Sequence, residues 1–210
     1  NNISLSIPAN SFVSIVGPSG AGKSTILDII LGLLRPKEGE ILIDEVPMSS
    51  ILEYYQQNIS YVGQNIFLHN ETIKRNVCFG LDQNEIDEKK FLNAIEASNL
   101  LELIDELPDG VNTMVGERGV KISGGQQQRV AIARALYLDR KIIVLDEATS
   151  SLDGISENNI LKRLSLFAKN YKKTIIMVTH NINLTRSSDT IHLIDKGFLV
   201  ESGDFNSLLK

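Results

Sequence analysis

The sequence has one cysteine, no tryptophan, no long apolar run and no excess of basic charge. Each shortage removes a class of explanation. Cys78 alone cannot close an internal disulfide, so a disulfide-stapled secreted domain is excluded and a reducing cytosol is the expected setting. The most apolar early stretch, Ile26 to Leu34, is broken by Asp28 and falls far short of the roughly 18 to 20 residues that span a bilayer. Asn1 to Leu5 has no basic segment followed by an apolar one, so no signal peptide is expected. Lysine and arginine number 21 against 26 acidic residues, a net charge of −5, the opposite of what replacing the counterions of a nucleic acid requires. The Lys89-Lys90 and Lys172-Lys173 pairs read as solvated helix faces. Three scattered histidines and one cysteine offer no zinc-ligand spacing.

What remains is a 210-residue chain with 42% apolar residues, enough for one sizeable core. Apolar runs alternate with amphipathic ones, the pattern of a parallel α/β fold. Ile3, Leu5 and Ile7 alternate as a half-buried strand. Phe12 to Val16 reads as a buried strand, followed by a helix from Lys23 to about Leu33 that Arg35-Pro36 stops. Lys141 to Leu145, Thr174 to Val178 and Thr190 to Ile194 are further buried strands. Ile160, Leu164 and Phe167 mark a helix between the first two of these. Lys196-Gly197 predicts a hairpin turn. From Asn65 to Leu138 helical patterns dominate, at Glu85 to Leu103 and Gln126 to Leu138, with Pro108-Asp109-Gly110 between them. The expectation is one domain, its α/β core at about 1–64 and 139–210 and an inserted helical subdomain at about 65–138.

Gly17-Pro18-Ser19-Gly20-Ala21-Gly22-Lys23-Ser24 fits G-x-x-x-x-G-K-[ST] between a strand and a helix. Glycines there let backbone N–H groups turn inward around a phosphate, and the helix terminus adds a positive dipole end. Lys23 brings a point charge, and the Ser24 hydroxyl can ligate Mg²⁺. A second signal is the apolar run Ile142 to Leu145 that ends in Asp146-Glu147. Carboxylates beside a buried strand need a compensating cation or hydrogen bonds, so Asp146 is the candidate for holding Mg²⁺ and Glu147 for polarising an attacking water. Thr174 to His180 repeats the design, and crevices of parallel sheets lie beyond the carboxyl ends of strands, so His180 should join Glu147 and the glycine loop. His69 and His192 have no such position and read as structural.

Ser123-Gly124-Gly125-Gln126 is another glycine turn opening a helix, with Ser123 suited to cap it. With these residues the whole chain resembles the nucleotide-binding domain of ABC transporters. Gly17 to Ser24 is similar to the Walker A loop, Ile142 to Asp146 with Glu147 to Walker B and its glutamate, and Ser123 to Gln126 to the family signature. Gln64 in Tyr61-Val62-Gly63-Gln64 resembles the Q-loop glutamine, Ser151-Leu152-Asp153 the D-loop, and His180 the switch histidine. Val115 to Gly119 resembles a segment typical of exporters.

The resemblance implies a P-loop core with a mainly parallel sheet, an antiparallel β portion near the N-terminus, and a signature-bearing helical subdomain. It further implies ATP held by Gly17 to Thr25 and, across a head-to-tail dimer of cassettes, by Ser123, Gly124, Gly125, Gln126 and Asp153. Mg²⁺ would sit on Ser24, Gln64 and Asp146, with Glu147, His180 and Gln64 serving hydrolysis. Transmembrane domains, fused upstream, would hold the domain at the cytoplasmic face of the membrane, the cassette itself being soluble. Alternatives within the same superfamily are a soluble ATPase acting on DNA or ribosomes and a non-hydrolysing dimer switch. Two departures stand out: Ile122 replaces the usual leucine, a volume-conserving change, and the first aromatic residue is Phe12. The adenine-stacking aromatic of the family is therefore expected before Asn1.

Overall fold

A computed structural model describes residues 3–208, so the outermost residues of the core expected at 1–64 and 139–210 lie outside the described residues. The strands are β1 (Phe12–Val16), β2 (Leu42–Ile43), β3 (Val46–Pro47), β4 (Ile59–Val62), β5 (Ile142–Asp146), β6 (Thr174–Thr179), β7 (Thr190–Asp195) and β8 (Phe198–Gly203). The helices are α1 (Lys23–Ile30), α2 (Leu52–Gln57), α3 (Ile73–Val77), α4 (Glu88–Ala97), α5 (Leu101–Glu106), α6 (Gly124–Tyr137) and α7 (Gly154–Tyr171). Six strands form one sheet in the order β4-β5-β6-β1-β7-β8, parallel from β4 to β7 with β8 antiparallel on the edge. β2 and β3 make a separate antiparallel pair.

Period-2 alternation gives the sheet two apolar faces. Ile143, Leu145, Ile175 and Met177 face one side and pack with Val130, Leu161 and Leu164 of α6 and α7. Ile15, Val144, Ile176 and Val178 face the other, against Leu27 and Ile30 of α1. Burial on both faces explains why these strands read as continuous apolar runs.

Three local expectations are corrected and one strand, β4, is added. Ile3, Leu5 and Ile7 are half-buried and alternate with exposed neighbours, yet residues 3–8 form no strand. Alternating burial needs only an extended chain, whereas a strand also needs a ladder partner. Helix α1 stops at Ile30 rather than near Leu33 because Gly32 (φ 71°) enters the left-handed region. Leu33 N–H then donates to Asp28 C=O (2.8 Å) and Gly32 N–H to Ile29 C=O (3.0 Å), closing a Schellman motif before Arg35-Pro36 is reached. The Glu85–Leu103 pattern splits in two at Asn99 (φ 54°), which ends α4 the way Gly32 ends α1. Strand β4, four residues with one exposed position, Tyr61, is too short to leave a readable pattern in the sequence.

The Lys196-Gly197 turn joins β7 to β8 with φ of 47° and 77°, the two positive values a type I′ hairpin requires. Its Gly197 N–H donates to Ala21 C=O (2.8 Å), tying the hairpin to the glycine loop. His192 is buried, with Nδ1 2.8 Å from Ser202 Oγ and Nε2 donating to Ser6 C=O at 3.1 Å. His69 stacks on Phe79 with ring centroids 4.5 Å apart.

Candidate nucleotide site

The glycine loop leaves β1 in the middle of the sheet and enters α1 at Lys23. Gly17 passes so close to β7 that a Cβ there would lie 2.0 Å from Ile194 C=O, so only glycine fits. Gly22 at φ 102° turns the chain into α1, whose N-terminus receives no side-chain cap. Its first N–H groups are thus available to an anion. The Lys23 ammonium is buried and donates to Gly17 C=O and Pro18 C=O, both at 2.8 Å, folded over the loop it would fill with phosphate. Ser19, Gly20, Ser24 and Thr25 are exposed along the rim.

Strand order brings the distant polar residues into one row. β4, β5, β6 and β1 are neighbours, and from their carboxyl ends emerge Gln64, the Asp146-Glu147 pair, His180 and the glycine loop respectively. Glu147 adopts φ 48°, a conformation uncommon for a non-glycine residue, and its N–H donates to Val178 C=O at 3.0 Å. That kink turns its carboxylate sideways between two partners: Oε1 lies 3.1 Å from His180 Nδ1, and Oε2 accepts from Gln64 Nε2 at 3.4 Å. Asp146 Oδ2 accepts from the Tyr61 hydroxyl at 3.1 Å. Burial, with Glu147 and Asp28 nearby, raises the Asp146 pKa, against the opposing pull of the Tyr61 hydrogen bond and Lys23. Burial above all pushes the Tyr61 phenol up to about 12, with Asp146 adding to it, so it stays a donor at neutral pH.

The Ser123 turn is a capping box. Ser123 Oγ accepts from Gln126 N–H (3.3 Å) and Gln126 Oε1 accepts from Ser123 N–H (2.8 Å), which starts α6. It lies against residues 150–153. Gln128, one turn into α6 and 1% exposed, accepts from Ser151 N–H at 3.0 Å and donates to Ser150 Oγ at 3.4 Å. A Cβ on Gly125 would stand 2.9 Å from Leu152 Cδ2 and 3.1 Å from Ser151 C=O, so glycine is needed there for packing within the chain. Asp153 accepts from Ile155 N–H (3.1 Å) and Ser156 N–H (3.0 Å) and caps α7. Ser123, Gly124, Gly125, Gln126 and Asp153 line an open cavity to which residues 17–25 contribute nothing.

The structure therefore brings Gln64, Asp146, Glu147, His180 and the glycine loop to one end of the sheet, while the Ser123 turn and Asp153 line a cavity that includes none of them. Sequence reasoning overlooked Tyr61 and Gln128. Tyr61 stands in the Tyr61-Val62-Gly63-Gln64 run, and Gln128 sits in the polar run Gln126-Gln127-Gln128-Arg129, where nothing in the sequence marks it as the buried one.

The sequence profile described as ABC transporter matches residues 1–150. An ATP-dependent lipid A-core flippase of Ralstonia nicotianae is 38% identical over 100% of this chain and 35% of its own length. That of Pseudoalteromonas translucida is 41% identical, over 100% of this chain and 36% of its own. A bacterial Atm1-family ABC exporter, solved with ATP bound, superposes with a TM-score of 0.86 at 38% identity, covering 99% of this chain and 36% of that one. The chain thus spans about a third of the length of the relatives it matches. With the glycine loop, the strand-end carboxylates and the capped glycine turn in the places described, the chain belongs to the ABC transporter family, as a nucleotide-binding domain.

Proposed function

We propose that this chain binds and hydrolyses ATP to power export across a membrane, as one of two cassettes joined head to tail and attached to membrane-spanning domains. The observation that carries the reading is the row formed by Gln64, Asp146, Glu147, His180 and the glycine loop at the ends of four neighbouring strands. Gly17 to Thr25 hold the phosphates through loop N–H groups and the α1 terminus. Lys23 leaves the carbonyls of Gly17 and Pro18 for the terminal phosphates. Glu147 orients the attacking water and takes its proton, Gln64 flanks it, and His180 fixes its carboxylate and faces the transferring phosphoryl group.

Asp146 fits a divalent cation. Its carboxyl is desolvated beside Glu147 and Asp28, so negative charge collects there with Lys23 as counter-charge. Ser24, Gln64 and Asp146 are the oxygen donors that would hold Mg²⁺, which when bound would neutralise charge on the terminal phosphates.

Ser123, Gly124, Gly125, Gln126 and Asp153 serve the nucleotide of a second copy. Their exposure in a cavity free of glycine-loop residues supports that role. In this scheme residues 65–138 form the helical subdomain carrying the Ser123 turn, and 1–64 with 139–210 the core carrying the loop. Among the described residues no helix is long and apolar enough to cross a membrane. In the proposed assembly the attached membrane domains anchor the chain at the cytoplasmic face. No observation favours an ATPase acting on DNA or ribosomes.

Phosphate release by the intact protein tests the reading. ATP should be turned over, and Lys23→Ala should lower kcat/KM about a hundredfold or more, the scale of removing one preorganised charge from a phosphoryl-transfer site. Absence of turnover in the parent protein would overturn it.

A further inference from the structure

Tyr61, near the carboxyl end of β4, contacts a carboxylate of the site and has been given no role. It lies on the edge strand β4 and pairs with Val144 of β5, so it emerges on the same face as Asp146, two residues further along. Two residues of strand are about 6.6 Å, a reach that a tyrosine spans with its hydroxyl. The hydroxyl indeed donates to Asp146 Oδ2 at 3.1 Å. The residue is 51% exposed, so its ring adds little to the core and packing does not explain its placement.

Gly63 supplies an independent observation. A Cβ at that position would stand 2.9 Å from both Cε1 and Oη of Tyr61. The phenol ring therefore lies over bare backbone, and a side chain at 63 would have to displace the ring from its place beside Asp146. Two positions of one short segment, Tyr61 and Gly63, are matched to a single hydrogen bond.

We propose that Tyr61 is a positioning residue for Asp146, its hydroxyl fixing the rotation of the carboxylate before the nucleotide and its divalent cation arrive. The inference rests on the assignment of Asp146 to that cation in the preceding section. A carboxylate free to rotate would have to be ordered on binding, and a preset one has less ordering left to lose. Tyr61 thus acts on metal capture through Asp146, whereas the Gln64 amide N–H reaches Glu147.

The test is a Mn²⁺ titration of the intact protein loaded with a non-hydrolysable ATP analogue, followed by electron paramagnetic resonance. Tyr61→Phe deletes one oxygen and keeps the ring. It should raise the Mn²⁺ concentration at half-saturation about threefold to tenfold, the effect of losing one partly exposed hydrogen bond to a charged group. The metal concentration for half-maximal hydrolysis should rise by a similar factor, with a smaller change in kcat. Gly63→Ala, which keeps the hydroxyl but displaces it, should give the same shift. Unchanged Mn²⁺ titrations in either well-folded variant would overturn the proposal. A loss of kcat with metal affinity intact would overturn it as well, since that places Tyr61 in the chemical step. Should Tyr61→Phe fail to fold, Gly63→Ala decides alone. If parent and Asp146→Asn titrate identically, the assignment of Asp146 itself falls, a result distinct from parental affinity in the Tyr61 variant.

Discussion

Glu147 and His180 meet at the ends of adjacent strands, with Oε1 and Nδ1 3.1 Å apart, although 33 residues separate them in the chain. An ionised carboxylate only accepts, so Nδ1 carries the hydrogen and Nε2 is turned away from Glu147. Glu147 is 24% exposed on its side chain and His180 61%, so the carboxylate is the anchored member and the imidazole reaches outward.

The first prediction follows from that pairing. Glu147→Gln should leave nucleotide binding within a few fold and lower kcat about 10²- to 10⁴-fold, the usual cost of losing a general base. Because the two residues act as a unit, adding His180→Ala to Glu147→Gln should lower kcat little further. Nucleotide titration and phosphate release on the single and double variants check this. Full additivity would mean that His180 acts without Glu147.

The second prediction concerns the contact between α6 and the 150–153 loop. Gln128→Met removes the acceptor of the Ser151 N–H, a part-buried hydrogen bond, and should destabilise the protein by about 0.5 to 1.5 kcal/mol in urea unfolding. Gln128→Glu keeps an acceptor for both Ser151 N–H and Ser150 Oγ–H, and should recover part of the loss. Equal damage from both would show that the amide's donor side, not its acceptor side, matters.

Gly125→Ala gives a third. The added methyl would meet Leu152 Cδ2 at 2.9 Å, which can swing away, and Ser151 C=O at 3.1 Å, which is backbone and must give. The 150–153 loop should shift as a whole. Slowed hydrolysis with little change in nucleotide affinity for the glycine loop is the expected outcome, read by the split between kcat and KM. Proportional losses in both would place the effect at the loop from Gly17 to Ser24 instead.

These contacts explain what the sequence could and could not announce. Gly17 to Ser24, the apolar run ending in Asp146-Glu147 and the turn at Lys196-Gly197 are local patterns, in which the chemistry of a few consecutive residues dictates the backbone. The convergence of Glu147 with His180 also followed from the sequence, because strand ends of a parallel sheet share one edge. Tyr61 and Asp146 touch across 85 residues, and Gln128 and Ser151 across 23. No periodicity encodes such pairs; they arise from strand order and helix packing. The end of α1 differs from expectation for a related reason: Arg35-Pro36 is the visible stop, but Gly32 completes the cap before the chain reaches it.

The last prediction is a pH dependence of stability away from the nucleotide site. Asp139, in the left-handed region at φ 56°, links α4, α6 and the start of β6. Its Oδ1 lies 2.6 Å from Lys173 Nζ, whose side chain is only 10% exposed, and its Oδ2 lies 3.2 Å from Lys90 Nζ. Partial burial works to raise the Asp139 pKa, but hydrogen bonds and charge from Lys173 and Lys90 outweigh it and hold the pKa below the ordinary 3.8. A depressed carboxyl binds protons more weakly in the folded state than in the unfolded one. Its contribution is therefore complete above the unfolded value and disappears as pH falls through the lower, folded value. Asp139→Asn keeps a residue that tolerates the left-handed backbone and removes only the charge. It should destabilise the protein by about 1 to 2 kcal/mol at pH 7, the more exposed Lys90 partner contributing the smaller share. Urea unfolding of parent and variant at neutral pH and again below pH 3.8 checks the sign: the gap should be constant through neutral pH and close on acidification. A gap that widens in acid would mean that Asp139 is held protonated in the fold, with Lys173 satisfied instead by Asp139 C=O, to which it donates at 2.8 Å.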